Sequence, residues 1–294
     1  MSHGLSRVQA SWKFDARHNR SGCVSSCIML QLSLKETTMN NHQHQALDTE
    51  LQRQRYGENS ELLKGLGYNT DVMNIRRMSR DLATQDTWRY MESKDLEDLK
   101  DCVTDYSLYE WVVNTQLDPA LLEPGLVLEF GTATGRTLNQ FAHWLPNKTI
   151  HGFDSWQGLP EKFNDLPAGH FAQELPEVLP NCKLVQGWFG ARPPQDQSNI
   201  AENTALAFAT TTQESIALLH LDADLYSSTK TVLSAFAKHI VPGTVILFNE
   251  YWNHPTWKKH EFKAWQEHCK MYGVEYEYIG YASDHQEVAI RITK

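Results

Sequence analysis

The chain has 294 residues, with 27 Lys and Arg against 36 Asp and Glu, a formal charge of −9. That acidic balance argues against a general nucleic-acid binder, which presents a basic face, and no run of eighteen apolar residues is present to span a membrane. Five scattered cysteines (Cys23, Cys27, Cys102, Cys182 and Cys269), with no CxxC pair, argue against a zinc cage or a disulfide framework and fit a reduced, cytoplasmic compartment.

Charge is uneven along the chain. Residues 1–38 carry five basic residues and two acidic ones, +3, which leaves −12 for the rest. This head is Ser-rich, its one apolar cluster over 27–34 is interrupted by Gln31 and Ser33, and it reads as a disordered extension rather than a secretory signal. Residues 39–118 read as a helical cap or dimerisation arm. A short helix and a loop are expected over 60–78. Leu96, Leu99, Val103 and Tyr106 stand at i, i+3, i+7 and i+10, which predicts a helix carrying all four on one face, with Asp95, Glu97 and Asp98 near its start.

From 119 to 294 the pattern alternates. Apolar runs predict strands over 126–130, 149–154, 183–186, 216–222 and 244–249. Leu138, Phe141, Ala142 and Leu145 recur at helical spacing, and further helices are expected over 229–240 and 257–271. Segments 274–281 and 286–292 lie close enough for a hairpin. Strands alternating with helices predict an α/β fold, a Rossmann-like doubly wound sheet of about seven strands. The hairpin would place one antiparallel strand at the sheet edge, and the helical cap would precede the sheet.

Four strand ends carry chemistry. LEFGTATG at 128–135 passes from a strand into a helix, and its glycines allow close backbone approach beside free helical N–H groups. An NAD fingerprint would read GxGxxG, whereas Ala133 stands at the middle glycine and Glu129 lies inside the strand. An acid there suits an ammonium group. Asp154, 25 residues later at the end of the next strand, suits paired ribose hydroxyls. Asp222 at the end of the fourth strand, and Asn249-Glu250 at the end of the fifth, should converge. Their oxygen ligands suit Mg²⁺ or a similar divalent ion.

The linked blocks LEFGTATG, GFDSWQGLP at 152–160, VQGWF at 185–189, HLDADLYSST at 220–229 and VPGTVILFNEYW at 241–252 resemble the class I S-adenosylmethionine-dependent methyltransferases. Within them they are similar to the macrocin O-methyltransferase family. The resemblance implies a methyltransferase domain over 119–294 that methylates a hydroxyl of a small molecule such as a sugar. It implies cofactor contacts from Glu129, Gly131, Thr132, Gly135, Asp154, Ser155 and Asp222, and a metal held by Asp222, Asn249 and Glu250. The family commonly has Asp where this chain has Asn249, which leaves two carboxylates there. His170 falls on the loop where relatives place a catalytic histidine, making it the candidate base beside Asp222. His254, His260 and His268 read as helix-surface residues, with His254 near the site. Two other readings compete. A glycosyltransferase would use Asp222-Ala223-Asp224 to hold a nucleotide-sugar diphosphate, and a scaffold protein would bind the cofactor without transfer. The expected partner is a hydroxylated small molecule, not nucleic acid or membrane, with a homodimer allowed.

Overall fold

The computed structural model describes residues 75–294. They run α1 (Ile75–Glu92), β1 (Lys100–Asp101), α2 (Asp105–Thr115), the short α3 (Pro119–Leu122), β2 (Leu126–Phe130), α4 (Arg136–Trp144), β3 (Ile150–Asp154) and β4 (Cys182–Gln186). Then come α5 (Thr204–Thr211), β5 (Ile216–Leu221), α6 (Tyr226–Ala235), β6 (Val245–Phe248), α7 (Glu261–Tyr272), β7 (Tyr276–Tyr281) and β8 (Val288–Ile292). One sheet joins all eight strands in the order β1-β7-β8-β6-β5-β2-β3-β4. The expected extension over 1–38 and the start of the arm lie outside the described residues. No helix among the described residues is long and apolar enough to cross a membrane.

Strands β2, β5 and β6 are buried at every position, as parallel strands covered on both faces must be. Their side chains alternate between two cores. Leu128, Phe130, Leu219, Leu221, Ile246 and Phe248 pack with residues of α5, α6 and α7 on one face. Val127, Leu218, Val245 and Leu247 pack with residues of α2 and α4 on the other. This is the doubly wound, Rossmann-like arrangement expected. Glu129 and His220 interrupt the apolar pattern, and the register sets them opposite each other on the α2 face.

Two expectations are corrected. Leu96, Leu99, Val103 and Tyr106 do not share a helix. α1 ends at Glu92, Asp95 turns the chain with φ 53, and Val103 has φ 65. Leu96 and Leu99 pack on the core from this turn, while Val103 and Tyr106 are exposed. Thr104 then caps α2 by accepting the Ser107 N–H, so the helix starts at Asp105. Capping and left-handed residues override the apolar spacing. The second correction concerns the hairpin. β8 pairs antiparallel with both β6 and β7, so the antiparallel strand lies inside the sheet. Burial explains it: β8 is apolar and nearly fully buried, whereas β7 alternates with exposed Glu277 and needs less cover.

Candidate active site

From β2 the chain moves outward through β3 and β4, then returns to the other side of β2 for β5 and β6. The crevice at that reversal, outside the carboxyl ends of β2 and β5, is where such sheets bind ligands. A cavity of about 730 Å³ opens there. Gly131, Ala133, Asp154 and Ser155 line one side. Asp222, Asp224, Asn249 and Glu250 line the other. The loops fit closely: a Cβ on Gly131 (φ +96) would sit 1.7 Å from the Asp222 carbonyl oxygen. Ala133, Trp156 and Asp224 also adopt positive φ beside the cavity, at 43, 53 and 56°. Such non-glycine strain gathers at functional sites.

On the β2–β3 side the acids are placed by backbone. Asp154 Oδ2 accepts the Ala133 N–H and Oδ1 accepts the Trp156 N–H, both at 2.8 Å. Burial raises its pKa against these donors. The Trp156 indole donates to the Ala133 carbonyl at 2.9 Å and pins the turn. Ser155 is buried, and its hydroxyl accepts the Gln157 N–H at 3.0 Å. Gly135, left-handed at φ 74, forms the N-cap of α4. Glu129 is 1% exposed, with Oε2 3.1 Å from His220 Nδ1. Burial pushes Glu129 up to about 8 and His220 down to about 4. Glu129 Oε1 and Thr132 Oγ1 are buried without a hydrogen-bond partner among the described residues.

On the β5–β6 side the acids crowd. Asp222, Asp224 and Glu250 bring one oxygen each within 4.8 Å of one another. Asn249 Nδ2 donates to Asp222 Oδ1 at 3.0 Å and to Glu250 Oε1 at 3.2 Å, while its Oδ1 accepts the Tyr109 hydroxyl at 3.0 Å. The amide therefore shows the acids its N–H groups rather than its oxygen. Burial pushes Asp222 up to about 7 and Asp224 up to about 6, and raises Glu250 well above the carboxylate range, with neighbouring acids adding. Glu250 Oε2 has no hydrogen-bond partner among the described residues. No Lys or Arg ion pair reaches these acids among the described residues. Three crowded carboxylates and a buried free oxygen fit a hard divalent cation.

Two contributors escaped the reading of the metal set. Asp224 stands in the D-x-D pattern, so its signal was visible. Glu261, fully buried at the start of α7, accepts the Glu250 N–H at 3.0 Å and the Ala223 N–H at 3.4 Å. It ties together the two loops that carry the cluster, and no local pattern announces it.

His170 is exposed, and its ring does not line the cavity. Its carbonyl accepts the Leu159 N–H at 2.8 Å, which clasps its loop to the cavity wall. Among the groups around Asp224, His170 acts to lower its pKa. The other histidines correct the surface reading. His254 and His268 are each 5% exposed and His260 is half-buried. His254 Nε2 lies 3.2 Å from the Glu250 carbonyl, and His268 stacks on Trp265 at 5.6 Å. Burial lowers all three pKa values.

Residues 128–251 match the family model described as a methyltransferase domain. No curated protein sequence matches the chain. Among solved structures, CalS11, a calicheamicin methyltransferase, is 23% identical with a TM-score of 0.48, over 64% of this chain and 80% of its own. The O-methyltransferase NovP is 18% identical with a TM-score of 0.41, over 64% and 78%. DesVI from Streptomyces venezuelae is 12% identical with a TM-score of 0.36, over 69% and 96%. The matched stretch 128–251 carries the ligand crevice at the β2–β5 reversal, so this part of the chain is a methyltransferase domain.

Proposed function

We propose that the enzyme transfers the methyl group of S-adenosylmethionine to a hydroxyl oxygen of a small molecule such as a sugar, assisted by a divalent cation. One observation carries the reading: a single cavity has Asp154 on one wall and the acid cluster on the other, with the buried, unpartnered Glu129 Oε1 and Thr132 Oγ1 beside its glycine turn. Glu129 would receive the cofactor's ammonium group. The turn through Gly131, Thr132 and Gly135, with the N-terminus of α4, would receive its carboxylate. Asp154 keeps lone pairs free for ribose hydroxyls, with Ser155 shaping the same wall. Asp222 borders both halves and would contact cofactor and cation.

The sulfonium methyl is already electrophilic, so the protein's task is to hold an acceptor oxygen in line with it. Asp222, Asp224 and Glu250 would hold the cation, with Asn249 joining by its oxygen if the amide turns over. Bound there, a divalent ion lowers the pKa of a chelated hydroxyl. His170, on the loop beside Asp224, would take the proton. The likeness of GFDSWQGLP and HLDADLYSST to the macrocin O-methyltransferases supports a hydroxylated acceptor.

Isothermal titration with S-adenosylhomocysteine tests the cofactor half, and saturable heat in the micromolar range is expected. No heat at high micromolar ligand, with heat from a nucleotide sugar instead, would favour the glycosyltransferase reading. Equal turnover in chelator and in excess Mg²⁺ would remove the cation from the proposal.

A further inference from the structure

A run of buried side chains joins the two walls of the cavity. Glu129 and His220 face α2, and Tyr109 of α2, 1% exposed, reaches from His220 to Asn249. Glu129 Oε2 lies 3.1 Å from His220 Nδ1, and His220 Nε2 lies 3.2 Å from the Tyr109 hydroxyl. That hydroxyl donates to Asn249 Oδ1 at 3.0 Å, and Asn249 Nδ2 donates to Asp222 and Glu250.

The hydrogens along this run are not independent. A tyrosine hydroxyl has one hydrogen, and a neutral imidazole has one N–H. With its N–H groups on the acids, Asn249 shows Tyr109 an oxygen. Tyr109 then gives its hydrogen to Asn249 and must take one from His220 Nε2. His220 is left with a lone pair at Nδ1, which a protonated Glu129 can serve as donor but a carboxylate cannot.

Turning the amide over reverses every bond. Asn249 Oδ1 would face the acids, and Nδ2 would donate to the Tyr109 oxygen. Tyr109 would donate to His220 Nε2, and Nδ1–H would donate to Glu129 Oε2. Without a cation this polarity sets an amide oxygen against carboxylates and is disfavoured. A cation among Asp222, Asp224 and Glu250 repels the N–H groups and attracts the oxygen, so it selects the reversed state. In that state Glu129 is stabilised as an acceptor, and its free Oε1 is ready for an ammonium group.

We infer that Tyr109 is a positioning residue that links cation binding at the acid cluster to cofactor binding at Glu129, by setting the direction of this hydrogen-bond run. The inference rests on the proposed assignment of the two sites. By linkage, a cation that tightens the cofactor is tightened by it to the same factor.

The test is titration of S-adenosylhomocysteine into the full chain, in chelator and in saturating Mg²⁺, for wild type and Tyr109→Phe. Phenylalanine keeps the ring that packs 5.8 Å from Phe141 and 5.0 Å from His220. In wild type, Mg²⁺ is expected to tighten binding by about fivefold or more. In Tyr109→Phe the same ratio should fall to about one, with the melting curve confirming a folded protein. Asn249→Asp, which has no N–H to reverse, should also lose the response and serves if the first variant does not fold. A Mg²⁺ ratio of one in wild type, or an equal response in wild type and the folded variants, overturns the inference while the cofactor reading stands. No binding to wild type in either condition overturns the cofactor reading and this inference together.

Discussion

The two walls of the crevice hold their acids in opposite ways. Asp154 has an N–H donor on each oxygen, supplied by the turn after β2 and by its own loop. Asp222, Asp224 and Glu250 face one another, and the amide of Asn249 donates to Asp222 and Glu250. One wall holds its acid with backbone donors. The other concentrates like charge that either protonation or an external cation relieves. A carboxylate already served by backbone can receive neutral hydroxyls, whereas crowded carboxylates are built for a positive partner.

If that contrast is right, Glu250→Gln should cause the largest loss. It removes a cluster ligand whose Oε2 has no other partner among the described residues. Turnover should fall on the order of 100-fold or more, with Mg²⁺ no longer restoring it and S-adenosylhomocysteine still bound. Undiminished Mg²⁺-stimulated turnover would show that the crowding serves something else. Next comes His170→Ala, which should lower kcat about 100-fold while leaving cofactor affinity unchanged. A change confined to KM would make His170 a wall of the acceptor site. Asp154→Asn probes the other wall. It exchanges a charged acceptor for a neutral amide and should weaken S-adenosylhomocysteine about 10- to 100-fold, as loss of bonds to a charged group does. The factor by which Mg²⁺ tightens the cofactor should not change, because the Tyr109 run ends at Glu129 and not at Asp154; a changed factor would place Asp154 in that run.

The placement of these candidate residues could be read from the sequence because they sit at the carboxyl ends of strands that announce themselves. Runs such as 126–130 and 216–221 are apolar throughout, so their ends locate Glu129, Asp154 and Asp222. What the reading missed depends on contacts between distant segments. Tyr109 and Glu261 reach the site across helices packed on the sheet, and neither stands in a recognisable motif. The interior place of β8 is likewise set by which strand must be buried on both faces, a property of the assembled sheet. The helix read into 95–106 failed for a local reason: Asp95 and Val103 take left-handed turns that apolar spacing does not reveal.

The smallest expected effect concerns how burial of these acids weighs on stability. Glu129 is held near 8 in the folded chain, against an ordinary value of 4.5. Between those values the folded chain retains a proton that the unfolded chain releases, so stability falls as pH rises toward 8. Asp222, pushed up to about 7, acts with the same sign. His220 acts oppositely: held near 4 against 6.5, it removes stability as pH falls below 6.5. The window from pH 6.5 to 8 therefore isolates the acids. Across it the cation-free protein should lose about 1–2 kcal/mol, read by denaturant unfolding in chelator. Glu129→Gln, which keeps the shape without titrating, should flatten part of that slope. Mg²⁺ should offset only the part that belongs to the acid cluster. A slope that Mg²⁺ abolishes entirely would assign the whole effect to the cluster wall, leaving Glu129 charged and paired across the neutral range.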